Sequence, residues 1–306
     1  MGGDGRRTLF AALWRMSRPA QLALIALVYA LGVAMAFGRG VTPDAATVTV
    51  GLGVVLPIAA SIHYANEYAD AETDALTDRT AFSGGSGALA DAGLPRRFAL
   101  YAAVASGSAG LALLAWAVAP LGGRPLSPIH AVLFGGILVL GWQYSVGPLR
   151  LAWRGAGEVT NAVLGGVVLP VSGFAVATGR VSVAAVLATV PFALVVFVNL
   201  LETQWPDRRA DAAVGKRTLA TRWSSRRLRV AYGLGSLAAA GSTVVLVGRV
   251  FPSAVGTATL LPMLGLAVGY RRFTRHEEPF PAVVTMVVVA TATTATWLGV
   301  GAGFIG

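Results

Sequence analysis

A chain of 306 residues that is 55% hydrophobic and only 12% charged, with a mean hydropathy of +0.68, is excluded from the class of soluble globular domains, where about a quarter of residues carry charge. Its 24 Lys and Arg against 14 Asp and Glu leave a net charge of +10, which in so apolar a chain fits loops lying against anionic lipid headgroups and not a nucleic-acid partner. With no cysteine and three scattered histidines (His63, His130, His276), disulfides, thiolate zinc sites, cysteine nucleophiles and histidine metal clusters are excluded, so any metal here takes hard oxygen ligands, as Mg2+ does.

In chain order, Arg15 and Arg18 precede an apolar run at 20–38. It is longer than a secretory signal core and leads into further apolar runs, so it reads as the first span. Others follow at 45–63, 98–119, 129–147, 158–178, 182–200, 229–248, 253–270 and 281–303. All are rich in Ala, Gly, Leu and Val, as in helices packed closely in lipid, and none alternates as a barrel strand does. The prediction is an all-α polytopic membrane protein with one domain over 1–306. Its nine transmembrane helices form one bundle around a central cavity. With the N-terminus inside, the basic residues concentrate in inside segments, leaving Arg39, Arg124, Arg180 and Arg249 outside. This predicts N-in, C-out topology in the cell membrane.

Two inside connections, 64–97 and 201–228, are long and carry most of the acids. In the first, Asn66, Asp70 and Asp74 are four residues apart, and in a helix they form a column of oxygens on one face, suited to a hydrated divalent cation. The second repeats that spacing in Asp207 and Asp211. Both motifs follow a span running from outside to inside, a weak parallel repeat that brings two acidic columns to face each other. Paired carboxylate clusters flanked by basic residues suit a diphosphate held through Mg2+, and a polyprenyl diphosphate would place its head at this rim and its tail among the helices. The glycine-rich Ser83–Gly87 reads first as a flexible loop. Neither it nor Gly215-Lys216, with Ala210 upstream, has the P-loop spacing, so nucleotide hydrolysis is not implied.

These residues resemble the UbiA superfamily of intramembrane prenyltransferases. Its first signature, Asn-Asp-x-x-Asp-x-x-x-Asp, is matched by Asn66, Asp70 and Asp74, with Glu67 in place of the second-position Asp. Its second, Asp-x-x-x-Asp, is matched by Asp207 and Asp211. Arg18-Pro19, the Tyr144-Ser145-x-x-Pro148-Leu149-Arg150-Leu151 segment and nine helices add to the likeness. Within the superfamily, Gly84-Gly85-Ser86-Gly87, Gly155-x-Gly157-Glu158 and Gly215-Lys216-Arg217-Thr218-Leu219 look most like the branch that prenylates 1,4-dihydroxy-2-naphthoate in menaquinone synthesis. Other branches act on 4-hydroxybenzoate, homogentisate, heme, chlorophyllide or geranylgeranylglyceryl phosphate.

The resemblance implies Mg2+-dependent transfer of a polyprenyl group from a diphosphate donor to a small aromatic acceptor. Asn66, Asp70, Asp74, Asp207 and Asp211 would be metal ligands, and the four aspartates the catalytic set. Arg79, Arg150, Lys216 and Arg217 are the candidate diphosphate partners. Tyr68, Tyr144 and Glu202 are candidate contacts for the allylic cation or the acceptor, although an interfacial aromatic belt is the commoner reason for tyrosine at such positions. Glu158 reads either as a helix N-terminal charge or as an acceptor-facing group, and His63 as packing near a helix end. The competing class is an ion-coupled transporter, whose acids would lie at mid-membrane and not at helix ends. Oligomeric state is open.

Overall fold

The computed structural model describes residues 3–77, 84–119 and 125–305. Arg79 lies outside them. Helices in chain order are α1 (Gly3–Met16), α2 (Pro19–Phe37), α3 (Ala45–Asp74), α4 (Ala88–Asp91), α5 (Arg97–Val118), α6 (Pro128–Ser145), α7 (Gly157–Val163), α8 (Leu169–Thr178), α9 (Val183–Thr203), α10 (Arg208–Ala213), α11 (Leu219–Arg222), α12 (Ser225–Leu246), α13 (Ser253–Leu260), α14 (Gly265–Arg272) and α15 (Phe280–Gly301). A π-helical turn at Leu164–Val168 joins α7 to α8, and a 3-10 turn at Leu261–Leu264 joins α13 to α14.

Among the described residues eight helical segments are long and apolar enough to cross a membrane: α2, α3, α5, α7–α8, α9, α12, α13–α14 and α15. The run expected at 129–147 is helical as α6 and lies against α3, α5 and α8, but His130 near its start and Gln143 near its end dilute its apolarity. An all-α polytopic membrane protein is what the helices support.

The largest departure from expectation is at α3. The connection expected over 64–97 begins as helix: α3 continues unbroken to Asp74, which gives Asn66, Asp70 and Asp74 the helical spacing on which the column depends. Asp44 caps its start by accepting from the Thr47 amide at 2.7 Å. Thirty residues make a rod of about 45 Å, longer than a hydrocarbon layer of about 30 Å, so its last turns project past the apolar zone. They stay helical because Ala65, Glu67, Asp70 and Thr73 bury one face against the ends of other helices.

Helix α1 precedes the first span and was not foreseen. Ala12 and Met16 bury against Ala88 and Ala99, while Phe10 and Trp14 stay exposed. Helices α2 and α8 cross at glycines: a Cβ on Gly32 would stand 1.8 Å from the Pro170 carbonyl oxygen, and one on Gly173 2.1 Å from that of Tyr29. The core between helices is filled by Val54, Ile58, Phe134, Val195, Leu201 and Leu228. The start of α2 and the ends of α3, α6 and α9 meet at one end of the molecule, where Arg18 bonds Glu67 and Asn66 bonds Ser145.

Candidate active site

The last two turns of α3 carry the first acidic column, and its side chains are tied to other elements. Asn66 Nδ2 donates to Asp70 Oδ2 at 2.8 Å and to Ser145 Oγ, at the end of α6, at 3.0 Å. The second motif follows α9. Asp207 precedes α10, Asp211 sits within it, and the chain then turns through Gly215, at φ +78°, to Lys216.

Lys216 joins the motifs. Its Nζ lies 3.1 Å from Asp70 Oδ2 and 3.4 Å from Asp211 Oδ1, with all three side chains largely buried. Burial alone would lower the ammonium pKa, but the carboxylates of Asp70 and Asp211 outweigh it and hold the pKa above the usual lysine value, so the charge is retained. The two acidic motifs thus do face each other, bridged by a cation from the chain itself. Burial pushes Asp207 up to about 7, with repulsion from Asp211 adding to it, and pushes Asp211 up to about 6 against the opposing pull of Lys216.

The donor set fits a hard divalent cation. Asp70 Oδ1 and Asp207 Oδ1 are buried without a hydrogen-bond partner among the described residues, an arrangement that is costly for a carboxylate oxygen unless a cation or donor takes it up, while Asp211 Oδ1 has only the Lys216 ammonium at 3.4 Å. Among the described residues no three acidic or histidine side chains converge into a ready-made metal centre. The carboxylates therefore suit an ion whose shell is completed by oxygens of an incoming ligand.

A model of the UbiA prenyltransferase family matches residues 25–290. The chain belongs to the UbiA prenyltransferase family. Solved structures agree on the fold. A UbiA homolog from Archaeoglobus fulgidus bound to DMAPP and Mg2+ is similar with a TM-score of 0.69 at 16% identity, over 94% of this chain and 99% of that one. The same organism's homolog bound to GPP and Mg2+ gives 0.67 at 18%, over 96% and 99%. A digeranylgeranylglyceryl phosphate synthase gives 0.64 at 10%, over 95% and 99%. No curated protein sequence matches the chain. Family membership makes this an enzyme, a membrane prenyltransferase.

Not every residue expected at the site of this UbiA family member is brought to it. The Tyr144 ring packs beside Gly157 at the start of α7. Arg150, at φ +42°, stacks over the Trp153 ring at 4.1 Å, and Lys216 Nζ lies 6.0 Å from that ring, so Arg150 flanks the cluster without entering it. The Arg217 side chain is exposed, while its backbone amide donates to the Trp153 carbonyl at 3.1 Å. Consecutive residues on a tight turn face opposite ways, and Lys216 takes the inward one. Tyr68 stacks beneath Arg96 at 5.4 Å in the small core under α1.

Glu202 is turned elsewhere. It is buried where α9 meets α12 and α14, accepts from the Tyr232 hydroxyl at 3.1 Å and packs on Gly269, with Arg272 as its charged neighbour. Glu202 thus makes a buried hydrogen bond between helices through Oε2, while its Oε1 is buried without a hydrogen-bond partner among the described residues. Glu158 resolves as a backbone anchor, fully buried, its Oε1 accepting from the Leu219 amide at 2.7 Å. His63 Nδ1 pairs with the Ser17 carbonyl at 2.7 Å, packing near a helix end as expected. The sequence reading missed Ser145, Glu67 and Arg18 as participants. Arg18-Pro19 and Tyr144-Ser145 were visible as motifs, but the bonds they make span 49 and 79 residues, and no local spacing encodes such partners.

Proposed function

We propose that this UbiA family member transfers a prenyl group from an isoprenoid diphosphate to an acceptor in an Mg2+-dependent reaction at the Asp70–Lys216–Asp211 cluster. The observation that carries this is the meeting of the two acidic motifs around one buried lysine, with Asp70 Oδ1 and Asp207 Oδ1 left open. Family membership supports it, as does the similarity in fold to homologs bound to DMAPP or GPP with Mg2+.

Asn66, Asp70, Asp74, Asp207 and Asp211 are the residues that would hold Mg2+, which when bound screens the diphosphate and favours departure of the leaving group. Lys216 contributes a fixed positive charge against the phosphate oxygens, and Arg150 and Arg79 are further candidate contacts. Asn66, held by Ser145, keeps Asp70 turned inward. The allylic C–O bond breaks with its electron pair leaving on the diphosphate. A nucleophilic carbon or oxygen of the acceptor forms the new bond and gives up a proton to a nearby carboxylate or water or, for the naphthoate, gives up its carboxylate as carbon dioxide. Tyr144 is the candidate whose ring would stabilise the developing cation.

The aromatic acceptor 1,4-dihydroxy-2-naphthoate is the finer reading, suggested by Gly155-x-Gly157-Glu158 and Gly215–Leu219. These two segments are bonded to each other through Glu158 and the Leu219 amide, so the resemblance they carry concerns scaffold as much as the acceptor pocket. Geranylgeranylglyceryl phosphate is the second reading, favoured by the fold shared with digeranylgeranylglyceryl phosphate synthase. We place the chain as one domain in the cell membrane, N-in and C-out, with nine spans when α6 is counted, and with the site on the cytoplasmic side.

The test is product formation by protein in lipid, supplied with geranylgeranyl diphosphate and a panel holding the naphthoate, 4-hydroxybenzoate and geranylgeranylglyceryl phosphate, with and without Mg2+. Mg2+-dependent transfer that Asp70→Asn abolishes is the expected result, and the accepted compound decides between the two readings. No transfer to any acceptor by folded protein would overturn the proposal.

A further inference from the structure

The second position of the first motif holds Glu67 where the family pattern has aspartate, and the extra methylene lets the carboxylate reach a different set of partners. Oε1 accepts from Arg18 Nη2 at 2.7 Å, from Arg18 Nε at 3.2 Å and from the Ser86 backbone amide at 3.0 Å; Oε2 accepts from Ser86 Oγ at 2.8 Å. Three of these hydrogen bonds fall on Oε1 and one on Oε2, and this side chain is only 4% exposed. Asp70 and Asp207 each leave a buried oxygen open, whereas each oxygen of Glu67 has a donor.

Its partners form a strap across the site. Arg18 reaches Glu67 from a left-handed backbone conformation at φ +53°, a strain of about 1 kcal/mol or more that a non-glycine residue keeps only where surrounding contacts impose it. Ser86 is further held by Arg15 Nη2, which donates to its carbonyl at 2.8 Å and pairs with Asp91 at 2.8 Å. Next to Ser86, Gly85 lies on the Asp74 carboxylate so closely that a Cβ there would stand 2.0 Å from Asp74 Oδ2. Glu67 and Asp74 are seven residues apart, on the same face of α3. The glycine segment 84–87 therefore runs along that face, pinned at Glu67 and seated on Asp74.

We infer that Glu67 is a positioning residue: together with Arg18 and Ser86 it straps the glycine segment over Asp74, setting that carboxylate for the diphosphate site, and takes no part in metal ligation itself. The inference rests on the proposed function for what Asp74 does, but not for the existence of the strap.

The experiment compares Glu67→Gln, Glu67→Asp and Ser86→Ala with the parent and with Asp70→Asn, in the full chain in lipid. Three quantities are read: amide hydrogen exchange over 84–92 without metal or substrate, affinity for Mn2+ by electron paramagnetic resonance, and KM against kcat for geranylgeranyl diphosphate. A strap predicts that all three variants, including Glu67→Asp, whose carboxylate is too short to reach Ser86, exchange about tenfold faster. They should raise KM about tenfold with kcat changed less than about threefold. They should also lower Mn2+ affinity to a similar degree in all three, through the loosened Asp74, and by less than Asp70→Asn, which loses a ligand outright. A ligand role predicts the reverse, with Glu67→Asp and Ser86→Ala like the parent and Glu67→Gln losing Mn2+ as Asp70→Asn does; that pattern would overturn the inference. Ser86→Ala removes only a hydroxyl and keeps the test open if Glu67→Gln does not fold. Unchanged exchange in Ser86→Ala and Glu67→Asp would also sink it. If the parent transfers no prenyl group, the proposed function fails, while the exchange and Mn2+ results still decide the strap.

Discussion

Lys216 is the side chain on which the site turns. Removing its charge leaves Asp70 and Asp211 facing each other with no counter-ion, and deprives an incoming diphosphate of its nearest buried cation. Lys216→Met should therefore lower kcat/KM for the donor by about 10²–10³-fold, measured at saturating Mg2+. Arg217→Met, with its side chain exposed, should change it by less than about threefold. The aspartates make a pH prediction. Asp207 and Asp211 titrate near 7 and 6 in the folded protein and near 4 when unfolded, so between those values the fold binds more protons than the unfolded chain. Their contribution to the stability of metal-free protein is fully present below about pH 4 and is lost as pH rises through 6 to 7. Isolated from other groups, this makes the metal-free protein melt lower at pH 8 than at pH 5.5, and makes Mg2+ raise the melting temperature more at pH 8, where both carboxylates are ionised. A Mg2+-induced shift that is equal at the two pH values would contradict it. Most of these residues were legible from spacing alone. What spacing could not supply was orientation: Lys216 and Arg217 are adjacent in sequence with the same charge, yet only one turns inward.

At the scale of elements, the glycines separate two kinds of requirement. Gly85 needs both a positive φ and the absence of a side chain, because Asp74 occupies the space a Cβ would take, while Gly93, at φ +60°, has nothing within 4 Å. Gly93→Ala should cost about 1–2 kcal/mol of backbone strain and leave transfer intact. Gly85→Ala should in addition displace Asp74 and raise KM for the diphosphate by about tenfold or more, so the ratio of the two variants in a kinetic assay isolates the strap from the turn. The α2–α8 crossing imposes a purely steric requirement. Gly32→Ala drives a methyl into the Pro170 carbonyl and should destabilise the bundle by about 1–3 kcal/mol in a denaturant titration in lipid, with activity per folded molecule retained. The α3 extension to Asp74 belongs here too. Apolar run length marks where lipid ends, but a helix goes on for as long as its face finds partners, and those partners come from α1, α6 and the strap.

For the whole molecule, the proposed orientation in the membrane rests on charge distribution. The chain has no native cysteine, so single cysteines report accessibility cleanly. Ala213→Cys, in the exposed turn after Asp211, should react with a membrane-impermeant maleimide only in inverted vesicles, and Ala302→Cys at the end of α15 only in intact cells. The opposite labelling would reverse the N-in, C-out assignment and the side on which the site opens.

The membrane class, the positions of the apolar spans and the acidic columns are set by the sequence itself, because each rests on local quantities: hydropathy over about 20 residues, basic residues kept out of lipid, and the rise and turn of a helix. Only the tertiary structure decided which acids are open and which are spent. Glu67, Glu158 and Glu202 look as much like active-site carboxylates as Asp70 does. The fold closes the first on Arg18 and Ser86; Glu158, bound to the Leu219 amide, Glu202, bound to Tyr232, and Asp70 each keep one buried oxygen without a hydrogen-bond partner, and of these Asp70 is the one paired with Lys216. A carboxylate's role depends on the donors that come within hydrogen-bond reach of it, and those donors arrive from helices far away in the chain.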